Sequence, residues 1–134
     1  MSAAYDAETL AVYDCEALFL EMLVMEVVAE PLFNDRLTPA QAHAEALEVL
    51  HRAGYADPVV NIVLSIGDDE DRAGSYDPTT NTIYGRHDGI TRDVLLHELA
   101  HWCRPHVGHG PQFRAVHAEL VGIVFGIDTA NELL

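Results

Sequence analysis

Apolar residues recur every three or four positions over the first part of the chain. Leu10, Tyr13, Ala17, Leu20, Val24 and Val27 mark one helical face between about Asp6 and Glu30. Leu18, Phe19, Met22, Leu23 and Met25 make that helix apolar around most of its circumference, as in an element buried in the core. Pro31 ends it. Thr38-Pro39 then supplies an N-cap and a first-turn proline for a second helix, which runs to about Ala53 and is stopped by Gly54.

Beyond Asp57-Pro58 the period changes from helical to extended. Val59 to Ile66 is β-branched and reads as a strand, followed by an acidic turn over Gly67 to Asp71. The acidic spacing in that turn fits no calcium loop, so a solvated turn is expected. Arg72 to Tyr76 and Thr82 to Arg86 flank Asp77-Pro78-Thr79-Thr80-Asn81, the composition of a hairpin. A third helix, with Thr91 as its cap, runs from about Arg92 to Arg104. Leu95, Leu99 and Trp102 lie on the face that pins it to the core. A loop over Pro105 to Gly110 leads to a last helix, opened by Pro111 and ending near Phe125, with Phe113, Val116, Leu120 and Val124 facing inward. This order predicts an α+β fold: a small antiparallel sheet of about three strands packed with four helices, in one domain spanning residues 1–134.

Charge narrows the partners. The chain has 22 acidic residues and seven basic ones, all arginine, for a net charge near −15. So acidic a surface disfavours strong binding to nucleic acid or to an anionic membrane. Cys15 and Cys103 have no metal-type spacing and read as free thiols. No basic segment precedes an apolar run at the start, and the longest apolar stretch, broken by Glu21 and Glu26, is too short to span a bilayer. A cytoplasmic protein is the expectation.

The third helix carries chemistry. His97-Glu98-Leu99-Ala100-His101 is an H-E-x-x-H run, and a helix brings residues four apart onto one face. His97 and His101 can therefore grip one metal ion while Glu98 reaches a water on it. A catalytic zinc site needs three protein ligands and one open position. His109 is placed for the third ligand by the chain reversal before the last helix; His106 is the rival, with His117 and Glu119 further outside. Bound zinc lowers the pKa of its water to about 7, and Glu98 would serve as general base and acid. Tyr76, Tyr84, His87, Arg104 and His106 have the chemistry to donate to an oxyanion. His43, His51 and His117 read as ordinary surface or core histidines, and Cys103 as a buried thiol pointing away from the ligand face.

Gly74-Ser75-Tyr76-Asp77, Thr82-Ile83-Tyr84, Leu95-Leu96-His97-Glu98-Leu99-Ala100-His101 and His109-Gly110-Pro111-Gln112-Phe113 together resemble the SprT-like zinc metallopeptidase pattern over roughly residues 59 to 125. The resemblance implies a minimal zincin-like domain, with Zn2+ held by His97, His101 and His109. It also implies that the strand before the motif helix, Thr82 to Arg86, walls the substrate cleft with its edge. The gap from His101 to His109 is short for the family, and the sequence holds neither a Cys-rich ribbon nor a basic DNA-binding segment. The expected activity is zinc-dependent hydrolysis of peptide bonds in a protein or peptide substrate. The alternatives are a non-peptide amide or ester substrate at the same site, and a zinc-stabilised adaptor whose acidic surface captures a basic partner.

Overall fold

The computed structural model describes residues 36–132. The apolar helix expected between Asp6 and Glu30, and Cys15 within it, lie outside the described residues. Arg36–Leu37 (β1) leads into Pro39–Arg52 (α1). Then come Asn61–Ile66 (β2), Gly74–Asp77 (β3), Thr82–Arg86 (β4) and Ile90–Thr91 (β5). Arg92–Cys103 (α2), Pro111–Phe125 (α3) and Ile127–Glu132 (α4) complete the order, and the architecture is α+β. None of the described helices is long and apolar enough to cross a membrane.

Local chemistry sets the ends of α1. The Thr38 hydroxyl accepts from the Gln41 amide at 3.2 Å while the Gln41 side chain accepts from the Thr38 amide at 3.0 Å, a reciprocal capping box. Past the C-terminus, Gly54 takes a φ of +103°, which ends the helix in the left-handed region that glycine occupies without strain. Between these ends Ala42, Ala46, Val49 and Leu50 form the buried stripe.

The three-stranded sheet has the order β2-β4-β3, with β3 antiparallel to β4 and β2 parallel to it. The hairpin is as expected, but the sheet is mixed rather than antiparallel throughout. Composition explains the difference. Thr82, Ile83 and Gly85 of β4 are buried, whereas Ser75, Tyr76 and Asp77 of β3 are only half-buried, so the more apolar arm of the hairpin takes the central place. Residues 67–81, hairpin arm included, then form the crossover that a parallel pair requires. β1 and β5 add a two-stranded antiparallel ribbon that the apolar pattern did not announce.

The strand expected from Val59 begins two residues later. The Val59 carbonyl accepts from the Asn81 side-chain amide at 2.7 Å and from the Trp102 indole at 3.0 Å, so side chains take what a ladder would have used. Asn81, at a φ of +54°, also accepts from the Tyr76 hydroxyl at 2.8 Å and so ties the hairpin to the start of β2. The acidic turn is stitched by ion pairs rather than merely solvated. Asp68 receives Arg86 at 2.6 Å and His87 at 2.9 Å, and Glu70 pairs with Arg72 at 2.7 Å. The His87 ring beside Asp68 holds its carboxyl below the usual range.

α2 occupies the middle of the molecule. It packs on β3 and β4 on one side and on α1 and α3 on the others, and residues 93 to 100 are all buried. Leu95 and Leu99 are fully buried, and Trp102 meets Tyr55 edge-on at 5.3 Å between ring centres. The Arg92 guanidinium reaches Glu45 of α1 at 2.7 Å across a largely buried contact. Leu99→Ala is expected to lower unfolding free energy by about 2–5 kcal/mol, the range for a fully buried leucine that leaves a cavity. Urea denaturation would measure it.

Candidate metal centre

Two turns of α2 present His97 and His101 four residues apart, and the loop 104–110 returns the chain toward them. Gly108 takes a φ of +62° immediately before His109, a backbone state that disfavours a side chain. Gly110 caps α3, and Pro111 opens it with a fixed φ where no amide partner is needed. The reversal brings three rings together. The Nε2 atoms of His109 and His101 lie 3.1 Å apart, and those of His109 and His97 lie 3.2 Å apart. Tetrahedral zinc bound at the usual Zn–N length would set such nitrogens about 3.3 Å apart. All three ligand atoms lie within 4.8 Å of one another, and the group could hold a metal ion.

Burial is graded across the group. His97 is fully buried whereas His101 and His109 are half-buried, so the cluster opens on the side of the later two. Phe113, in the first turn of α3 and 1% exposed, lies against every ring of the set. Its ring centre lies 5.0 Å from His97, 4.5 Å from His101 and 4.9 Å from His109. In the sequence Phe113 stands as an inward-facing residue and as the end of the His109 segment, with no contact to the motif histidines expected. His117, expected as an ordinary surface or core histidine, is in the core: it is buried, stacks on Phe113 at 5.7 Å and stands 5.9 Å from His97. The four-residue step from Phe113 to His117 on one helix face was the signal available for it.

Other candidates sit elsewhere. His106 and Glu119 are exposed and lie outside the three-histidine group. Tyr76 donates to Asn81, His87 contacts Asp68 on the acidic turn, and Arg104 donates to the Cys103 carbonyl at 2.9 Å. Tyr84 is half-buried in the central strand. Burial raises the Tyr76 hydroxyl above its ordinary pKa.

Glu98 follows His97 on α2 and is fully buried. Its carboxylate lies against the backbone of β3 at Gly74, where a β-carbon would stand 3.3 Å from Oε2. The strand that covers the motif helix at its edge is therefore β3, not β4. β4 is flanked by β2 and β3 and offers no free edge, which corrects the expectation for Thr82 to Arg86. Gly74–Asp77 is one of the two outer strands of the three-stranded sheet, Asn61–Ile66 being the other.

Cys103 closes α2 as a free thiol against Tyr55. Burial pushes the thiol above its ordinary pKa; the hydroxyl of Tyr55, bonded to it, opposes that shift and has its own pKa raised. Iodoacetamide at pH 8 is expected to alkylate Cys103 about tenfold more slowly in the folded protein than in urea, because the thiolate is the nucleophile. Mass spectrometry of the peptide containing Cys103 reads the rate.

No protein-family model matches the chain, and no curated protein matches it. Among solved structures it is similar to the metallopeptidase zymogen jannalysin of Methanocaldococcus jannaschii, at 17% identity and a TM-score of 0.47. That similarity covers 69% of this chain and 88% of the other.

Proposed function

We propose that the protein is a zinc-dependent metallopeptidase of SprT-like, zincin type, in which His97, His101 and His109 hold Zn2+ and Glu98 is the catalytic acid and base. The observation that carries this reading is the convergence of three histidine Nε2 atoms, at 3.1 and 3.2 Å, beside a glutamate on the same helix. Three neutral imidazoles are the donor set of a catalytic zinc that keeps its fourth position open. Bound there, the ion would supply Lewis acidity toward a carbonyl and an acidified water. The SprT-like assignment rests on the motif residues alone.

Glu98 has the second task. One carboxylate oxygen accepts a proton from the water as its oxygen bonds to the substrate carbonyl carbon. The same carboxyl then returns that proton to the leaving amine nitrogen as the carbon–nitrogen bond breaks. Burial among Val94, β3 and the core removes Glu98 from bulk water, which strengthens its interaction with a nearby charge. An extended peptide would pair with the outer edge of β3, in the manner of strand addition to a sheet, and lie along α2 at the level of Glu98. That geometry favours peptides over small amides and esters.

The test is metal content and hydrolysis together. Wild type should hold about one zinc per chain and His109→Ala clearly less, while His106→Ala should match wild type. Glu98→Gln should keep its zinc and lose at least about 100-fold in kcat on an extended peptide. A folded wild type that takes up no zinc, or a Glu98→Gln enzyme of undiminished activity, would sink the proposal.

A further inference from the structure

Gly74 is buried where β3 crosses α2, and its φ is not in the left-handed region. Its backbone conformation would therefore suit an alanine. The space would not. A β-carbon at Gly74 would stand 2.6 Å from Val94 Cγ1, 3.2 Å from the Tyr84 carbonyl oxygen and 3.3 Å from Glu98 Oε2. Val94 and Glu98 are one turn apart on α2, so the missing side chain lets the strand lie directly on the ridge that carries the motif glutamate. Gly85, also buried and crowded, differs: the nearest atoms to its β-carbon would belong to Leu64 and Ile90.

We propose that Gly74 is a positioning residue for Glu98. By lacking a side chain it leaves the slot in which the Glu98 carboxylate rests against the β3 backbone, and this fixes the rotamer from which Glu98 acts. The proposal rests on the reading of Glu98 as the acid and base. A β-carbon in that slot would push the carboxylate by a few tenths of an ångström, enough to spoil a proton transfer that depends on position. The three histidines project from other positions of α2 and from the loop before α3, so the metal site would stay intact.

A double-mutant cycle separates this role from packing. All proteins carry Val94→Ala, which removes the 2.6 Å clash and leaves the contacts to Tyr84 and Glu98. Four chains are compared: this parent, Gly74→Ala, Glu98→Ala, and both changes together. Gly74→Ala should lower Tm by at least about 3 °C more when Glu98 is present than when it is alanine. The contact with the Tyr84 carbonyl is common to both backgrounds and cancels. Zinc per chain should be equal in the parent and in Gly74→Ala. On a peptide that the parent cleaves, Gly74→Ala should lose about tenfold or more in kcat with KM within about twofold.

Equal Tm losses in the two backgrounds would overturn the contact, and an unchanged kcat would overturn the positioning role. If no chain cleaves any peptide, the hydrolase reading fails by itself, and the Tm cycle still decides whether Gly74 sets the place of Glu98. Should Val94→Ala leave the fold too weak, the same cycle in the natural Val94 background reads the same difference.

Discussion

Phe113 is the contact on which the site depends. Its ring lies within 5.0 Å of the ring centres of His97, His101 and His109, two residues on α2 and one on the loop before α3. Pairs of this kind add about 0.5–1.5 kcal/mol each beyond area burial, but their geometric effect matters more. Three imidazoles free to rotate would point their nitrogens in many directions. Packed around one buried ring, they have their Nε2 atoms 3.1 and 3.2 Å apart. The α2–α3 interface thus does two jobs with one side chain: it closes the core and it aims the histidines.

Burial of α2 follows from that arrangement and makes it costly to disturb. A helix buried from residue 93 to residue 100 would ordinarily be apolar there, yet this one includes Asp93, His97 and Glu98. Polar groups so placed need partners, because desolvation without them is unfavourable. A cation held by the histidines would add favourable electrostatics where the core has excluded water, and any ligand that binds the folded state alone stabilises it. Gly74 of β3 is the complement of this packing, because its missing side chain lets the strand lie close against Val94 and Glu98 of α2.

Much of this was legible in the sequence, for reasons that are local. The N-cap at Thr38 with Pro39 after it, the hairpin around Asp77 to Asn81 and the helix limits near Arg92 and Phe125 depend on residues close in sequence, and each lies where the pattern put it, within two residues or so. The four-residue step between His97 and His101 is likewise a helix property. Strand order is not local. The hairpin pattern specifies that β3 and β4 are antiparallel but not which of them lies beside β2, and that choice follows from how much of each arm the core can bury. The resemblance put a cleft-walling edge at Thr82 to Arg86, but that strand is central and has no free edge. The nearness of His117 to His97 is likewise not local, because the two lie on different helices and only packing brings them together.

The short path between the second and third histidines has a consequence for how such a site assembles. Loop closure costs little more for a long flexible loop than for a short one, but a short loop has few conformations that place its end correctly. Here Pro105 and Pro111 restrict φ near each end of the reversal, and Gly108 supplies the left-handed residue that turns it. The loop is therefore restricted before folding and has less entropy to lose when His109 meets α2. Its far end is the first turn of α3, whose register is set by Phe113, Val116, Leu120 and Val121 in the core. The position of the third histidine is then a property of helix packing rather than of the loop. A change that loosens α3 should weaken the site even where it touches none of the three histidines.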